Sequence, residues 1–230
     1  MNVRTTIVFS SLALIYLATL PLTPYVAQFL PKALPIVVLA VFAYTKLSAM
    51  PRYMVLAALL FSLAGDVSLA LPFADSFITG LACFFVAHLT YAMCFALLHR
   101  RLQETPGDHI ISRKPKWFIS IIMISFAVMM AVHILPASKA LFYPVVAYIS
   151  VITLMGLTAV WLAQTKLIVT GALFFVISDA ILAQSVFKTP LPLSTFWVMT
   201  TYYGAQYCLT MGLVDGFLRK ENRQEEKGQA

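Results

Sequence analysis

Charged residues are scarce in this sequence. Of its 230 residues, 11% are Asp, Glu, Lys or Arg, whereas 61% are hydrophobic. A soluble globular domain is about a quarter charged and about half apolar, so this composition argues against an ordinary soluble fold and indicates an integral membrane protein. The basic residues stand at the ends of apolar segments, which is typical of membrane topology rather than of a nucleic-acid-binding patch.

Cysteine and histidine are also rare. The three cysteines lie inside apolar segments, and their odd number argues against a disulfide framework, so packing is the expected role. The four histidines show no His-x-x-x-His spacing, and three of them (His99, His109 and His133) lie in or near predicted loops. We therefore expect no zinc site or other metal and no cofactor. No serine nucleophile elbow, phosphate loop or dinucleotide-binding motif is present.

Apolar segments long enough to cross a bilayer follow one another along the chain. A membrane helix needs roughly 20 mostly apolar residues. The pattern predicts an all-α integral membrane protein with eight transmembrane helices and a polar loop at about 99–116. The helices are predicted at about 5–20, 33–48, 53–71, 77–98, 117–135, 139–163, 166–187 and 194–218. Pro35 is expected to open the second helix, and Pro136 is expected to close the fifth.

The distribution of basic residues predicts the orientation. With eight spans, 13 of the 16 Lys and Arg residues lie on the side of the termini and 3 on the other side. The positive-inside rule then places both termini in the cytoplasm, with a bacterial inner membrane as the expected location. The first apolar run resembles a signal peptide but has no small-x-small cleavage site after it, so it is interpreted as a first span. Residues 1–218 are expected to form one membrane domain, and residues 219–230 a polar cytoplasmic tail.

Two predicted spans carry a carboxylate near their middle. Asp66 lies in the third span and Asp179 in the seventh, each within the pattern small-Asp-x-x-Leu-Ala. The recurrence after four spans predicts a parallel repeat of four helices. Counting from Arg52 and Lys166, both acids lie roughly 20 Å from the cytoplasmic edge at about 1.5 Å per residue.

An ionised carboxylate in hydrocarbon is costly, so such residues normally face a cavity or a partner. Two carboxylates facing one cavity would not both ionise, and one would keep its proton. That pair provides a general acid and a general base, as needed to cleave an ether-type C–O bond through an oxocarbenium-like state. The structural alternative is that Asp66 and Asp179 separately bond neighbouring helices.

Other polar side chains in the spans are candidates for a substrate site. His88, with Tyr91 three residues later, can pair with Asp66, donate to a substrate oxygen, or bridge two helices. Lys32, at the start of the second span, can hold a lipid phosphate or simply extend to the interface. A polar stripe in the eighth span either lines a wet cavity or bonds neighbouring helices. Its members at helical spacing are Tyr203, Gln206, Tyr207 and Thr210.

Several motifs, in order, resemble those of the YhhN-like lysoplasmalogenase family. They are Lys32-Ala33-Leu34-Pro35, Gly65-Asp66-Val67-x-Leu69, Gly80-Leu81-x-x-Phe84-x-x-x-His88-x-x-Tyr91-x-x-x-Phe95, Gly171-Ala172-x-x-Phe175-x-x-Ser178-Asp179-x-x-Leu182-Ala183 and Tyr202-Tyr203-x-Ala205-Gln206. No single motif is specific, but their order over about 32–210 is.

The resemblance implies an eight-span enzyme that hydrolyses the vinyl ether bond of lysoplasmalogens. The products are a fatty aldehyde and glycerophosphoethanolamine or glycerophosphocholine, and the partners are a lysophospholipid substrate and membrane lipid. The resemblance points to Asp66 and Asp179 as the catalytic pair. It also points to substrate-binding residues, namely His88, Tyr91, Tyr203, Gln206 and, with a looser match, Lys32.

A second class of function fits the same residues. Paired intramembrane acids serve as proton relays in transporters, and a repeat of four helices suits alternating access. A non-enzymatic proton-coupled transporter or lipid-binding protein is therefore the alternative hypothesis. The third hypothesis is a purely structural membrane protein.

Overall fold

The chain folds into a bundle of α-helices. The computed structural model describes residues 3–25, 27–103, 113–163 and 165–228, and these contain no β-strand. A short 3₁₀ turn follows the first helix, another precedes the sixth, and a π-helical turn at Ala159–Ala163 ends the sixth. The described residues form eight α-helices, which are α1 (Val3–Thr19), α2 (Phe29–Lys46), α3 (Ala49–Ala70), α4 (Ser76–Gln103), α5 (Arg113–Ser138), α6 (Phe142–Thr158), α7 (Lys166–Phe187) and α8 (Ser194–Gly228).

Most helix ends lie within a few residues of their predicted positions, but two prolines do not act as predicted. Pro35 was expected to open the second helix, yet α2 begins at Phe29 and contains it. Pro136 was expected to close the fifth helix, yet α5 continues to Ser138. Within a bundle, neighbouring groups can satisfy the carbonyl that a proline leaves free, so proline is tolerated inside membrane helices. The chain leaves α5 at Lys139, whose φ is 47°.

The chain is a multi-pass membrane protein. Among the described residues, six segments are long and apolar enough to cross a bilayer. One of them, Pro115–Ala163, is 49 residues long and includes both α5 and α6. Helix α8 is not among the six, because its tyrosine, threonine and glutamine residues lower its hydropathy. It continues as a helix to Gly228, beyond the predicted end of the eighth span at 218.

Two helical hairpins form the centre of the bundle. Helix α3 packs along α4, and α7 packs along α8, while α2 contacts α8 and α6 contacts α4. Glycines permit the close approach of these helices. A Cβ atom at Gly65 would lie 2.7 Å from the Phe84 ring, and one at Gly171 would lie 2.9 Å from the backbone nitrogen of Leu209. The hairpins therefore bring Asp66 on α3 and Asp179 on α7 into the interior.

Candidate active site in the membrane

Asp66 is held by two partners from other helices. The residue is 3% exposed, and its Oδ1 lies 3.2 Å from Lys32 Nζ of α2. Tyr202 of α8 donates its hydroxyl to Asp66 Oδ2 at 2.5 Å. Because a buried carboxylate is stable only when it is paired and hydrogen-bonded, these contacts explain why the acid is tolerated here.

The side chain of Lys32 is buried inside the bundle. Lys32 was expected to open the second span at the outer interface, and α2 begins three residues before it. Besides the ion pair, Lys32 Nζ donates to the backbone carbonyl of Asp66 at 3.1 Å. Its own carbonyl accepts the hydroxyl of Tyr203 at 2.8 Å. The lysine is thus a counter-ion for Asp66, and its ammonium group faces the protein.

Asp179 has a different set of partners. Tyr148 of α6 donates to Asp179 Oδ2 at 2.5 Å, and His88 Nε2 of α4 lies 3.3 Å from the same oxygen. His88 Nε2 is also 3.1 Å from the Tyr148 hydroxyl, so the three groups form one cluster. Sequence reasoning offered Asp66 as a partner for His88, whereas the contact that the structure provides is with Asp179.

One cavity connects the two acids. Asp66 and Asp179 both line a cavity with an empty volume of about 990 Å³, its open side included. We call it the polar cavity because charged and hydroxyl-bearing residues stand among its apolar lining residues. Lys32 and Tyr202 also line it, together with hydroxyl-bearing residues of α4, α7 and α8. Those hydroxyl-bearing residues are Ser76, Ser178, Ser185, Ser194 and Thr195. The arrangement can therefore hold a polar ligand and water against both carboxylates.

A second, apolar pocket lies beside the polar cavity. Its empty volume is about 850 Å³, its open side included, and helices α3, α4, α5, α6 and α7 line it. Its polar lining groups are those of Tyr148, Thr153 and Asp179, and every other lining residue is apolar. Five lining residues belong to both the pocket and the cavity, and they are Leu69, Phe77, Phe84, Asp179 and Leu182.

The other predicted site residues lie behind the cavity lining. Tyr91 and Gln206 are fully buried, and the Tyr91 hydroxyl donates to Gln206 Oε1 at 2.6 Å. Tyr203 is buried against Lys32, and the Tyr207 hydroxyl lies 2.8 Å from Thr6 Oγ1 of α1. None of these four tyrosine and glutamine side chains lines the two cavities described above. Most of the predicted polar stripe therefore bonds neighbouring helices.

Sequence reasoning missed two tyrosines that contact the acids. Tyr202 stands next to the predicted stripe, one position out of its register, and it is the residue that reaches Asp66. Tyr148 is the only hydroxyl-bearing aromatic residue in the middle of the apolar helix α6, and that isolation was the available signal. Over the described ranges, no three His, Cys, Asp or Glu side chains cluster as metal ligands would.

Comparison with known proteins finds a matching family and several relatives over most of the chain. The model of the YhhN family matches residues 27–213. The chain is 35% identical to human lysoplasmalogenase TMEM86B over 185 residues, which is 79% of this chain and 73% of that protein. It is 29% identical to human lysoplasmalogenase TMEM86A, covering 68% of this chain and 63% of that protein. The chain is 30% identical to pig lysoplasmalogenase TMEM86B, and the alignment covers 68% of this chain and 61% of that protein.

No solved structure matches the chain significantly. The family match alone covers well over half of the residues, and it includes Lys32, both acids and the partners of each. The chain therefore belongs to the YhhN family.

Proposed function

We propose that this protein is a membrane-embedded hydrolase that cleaves the vinyl ether bond of lysoplasmalogens. Its products would be a fatty aldehyde and glycerophosphoethanolamine or glycerophosphocholine. The observation that carries the proposal is the pair of carboxylates, Asp66 and Asp179, that line one cavity and have different charge partners. The relatives named lysoplasmalogenase support the same substrate class.

The charge partners assign different roles to the two acids in this proposal. Lys32 lies beside Asp66 and favours its ionised form, so the scheme assigns Asp66 the role of the carboxylate. The nitrogen near Asp179 belongs to His88, whose Nδ1 is buried and has no hydrogen-bond partner among the described residues. Asp179 has no lysine beside it and accepts the Tyr148 hydroxyl, so the scheme assigns it the role of the acid.

The reaction follows from this assignment. Asp179 donates its proton to the alkenyl carbon that is not bonded to oxygen, and the ether carbon becomes an oxocarbenium ion. The ionised Asp66 stabilises this cation across the cavity. Water adds to the cationic carbon and returns a proton to Asp179. The resulting hemiacetal collapses to the aldehyde and the free hydroxyl of the glycerophospho product.

The remaining predicted site residues act through the two acids in this scheme. Lys32 lines the cavity and holds Asp66, and His88 holds Asp179 together with Tyr148. Tyr203 fixes the helix carrying Lys32 through its bond to that residue's carbonyl. Tyr91 and Gln206 join α4 to α8 behind the cavity.

The proposed topology has eight spans, with both termini in the cytoplasm of a bacterial inner membrane. Eight α-helices and the excess of basic residues on the side of the termini support it. The proposed parallel repeat relates α1–α4 to α5–α8. It is supported by the matching contacts, because α3 packs on α4 as α7 does on α8, and α2 contacts α8 as α6 contacts α4.

Turnover of a lysoplasmalogen by purified protein tests the proposal. Asp66→Asn and Asp179→Asn should each lower aldehyde release by about a hundredfold or more, as expected for loss of an acid or base. Asp215→Asn is a matched control, since Asp215 is exposed and pairs with Arg219 at 2.8 Å. Near wild-type turnover by either site variant would overturn the mechanism. Proton-driven flux in proteoliposomes without any lipid product would favour the transporter.

A further inference from the structure

Apart from Asp179 and Tyr148, the apolar pocket supplies no group to the proton transfers described above. It has one face against Asp179 and its cluster, and its walls are otherwise hydrocarbon apart from Thr153. Along α7 it extends from Val176 to Phe187, which is about 16 Å at 1.5 Å per residue. One leaflet of a bilayer core is about 15 Å thick, half of about 30 Å. The pocket therefore has the length and the chemistry to hold a lipid chain.

The two cavities meet where the proposed chemistry takes place. The five residues that they share come from α3, α4 and α7, and Asp179 is the only ionisable one among them. Tyr148, which donates to Asp179 Oδ2, lines the apolar pocket, whereas Lys32 and Asp66 line the polar cavity. A ligand that occupied both cavities would place its junction between polar and apolar parts at Asp179.

We propose that the apolar pocket binds the aliphatic chain of the substrate while the polar cavity holds its glycerophospho headgroup. In a lysoplasmalogen the vinyl ether joins these two parts, so this placement sets the reacting carbon beside the Asp179 carboxyl group. The proposal rests on the proposed function for the identity of the ligand. It goes further in assigning a chain-binding site, formed mostly by α5, α6 and α7, that determines which chain lengths are accepted.

Ala127 is the residue through which to test this assignment. It lies on α5 and lines the apolar pocket, and it is not part of the polar cavity. Ala127→Trp should obstruct the pocket, and Ala127→Leu should narrow it with less disturbance of the fold. Val128→Trp is the matched control, because Val128 is the next residue, is 58% exposed and does not line the pocket.

The first measurement compares kcat/KM for octadecenyl and octenyl lysophosphoethanolamine. Ala127→Trp should lower the long-chain value by at least about tenfold while the short-chain value stays within about threefold of wild type. Ala127→Leu should change the ratio in the same direction by a smaller factor, and Val128→Trp should leave it unchanged. Equal losses on both chains, or an unchanged ratio in both Ala127 variants, would overturn the proposal.

A second measurement separates chain binding from catalysis. Saturated octadecyl and octyl ether lysolipids, which cannot be hydrolysed by this route, are titrated against the same variants. The Ala127 variants should weaken binding of the octadecyl lipid selectively, and the control should not. If wild-type protein releases no aldehyde but this selective loss is seen, the chain site stands and the proposed reaction fails. If aldehyde is released but no selective loss is seen, the reaction stands and the chain site fails.

Discussion

At the scale of single residues, the ion pair between Lys32 and Asp66 determines how the membrane interior accommodates a charge. Both side chains are almost fully buried, and the lysine also donates to the backbone of its partner. Removing one member of such a pair is more damaging than removing both, because the remaining charge has no compensation.

The single and double variants of this pair test that interpretation. Lys32→Met should destabilise the folded protein by about 3 kcal/mol or more, measured as a lower thermal midpoint in detergent. Lys32→Met combined with Asp66→Asn should recover much of that loss, although turnover should remain abolished. A single Lys32→Met variant as stable as wild type would contradict the ion pair.

Tyr148 provides a second prediction at this scale. Its hydroxyl holds Asp179 Oδ2 at 2.5 Å and orients the proposed acid. Tyr148→Phe should lower kcat by about tenfold with little change in KM, because the loss falls on proton transfer rather than on substrate binding. Tyr143→Phe, at an 81% exposed position of the same helix, should behave as wild type. A change confined to KM would argue for a binding role instead.

The sequence located the acids but not their partners. Asp66 and Asp179 stand out because carboxylates are rare in apolar runs. Lys32 was placed at the interface because a lysine near a helix end normally extends to water, and the true start of α2 could not be read from the prolines. Tyr202 was missed because helical spacing defines a stripe but not the direction in which a neighbouring helix lies.

At the scale of elements, the α7–α8 contact sets the position of Tyr202 relative to Asp66. A Cβ atom at Gly171 would lie 2.9 Å from the backbone nitrogen of Leu209 and 3.0 Å from the carbonyl oxygen of Ala205. Backbone atoms cannot move aside as a side chain can, so even one methyl group must separate the helices.

Gly171→Ala should therefore destabilise the protein by about 1–3 kcal/mol, measured by thermal unfolding, and should lower turnover as Tyr202 moves away from Asp66. Gly204→Ala is the comparison within the same helix pair. There the added Cβ would meet the ring of Phe174 at 3.0 Å, and that ring is 38% exposed and free to shift. Equal effects of the two substitutions would contradict the close backbone approach at Gly171.

Helix positions were largely predictable from the sequence, because proline and charged residues separate the long apolar runs and so mark where each helix begins and ends. Predicted and observed ends agree closely for α7, which was expected at 166–187. Pro35 and Pro136 were misread because a proline ends a helix only where no neighbouring group satisfies the freed carbonyl. That condition depends on packing, which the sequence alone does not reveal.

At the scale of the whole molecule, the pairing of helices creates the two cavities. Hydropathy predicts how many apolar segments exist, but it does not predict which faces meet. The polar cavity and the apolar pocket lie side by side because residues of α3, α4 and α7 form part of the lining of both. This arrangement could not be predicted from the spacing of Asp66 and Asp179 along the chain.

The proposed orientation gives a prediction at the same scale. In intact cells, a membrane-impermeant maleimide should label Asp75→Cys, in the connection between α3 and α4. It should not label Lys46→Cys, at the end of α2, until the membrane is opened. The unsubstituted chain, with its cysteines at 83, 94 and 208, supplies the background. The reverse labelling pattern would place both termini outside.

The destination of the water oxygen tests the central claim most directly. The purified protein is given a lysoplasmalogen in heavy-oxygen water, and the glycerophospho product is analysed by mass spectrometry. Protonation of the alkenyl carbon by Asp179, followed by addition of water to the cation, should yield aldehyde and a glycerophospho product that carries no heavy oxygen. Heavy oxygen in the glycerophospho product, or no aldehyde at all from folded protein, would contradict this mechanism.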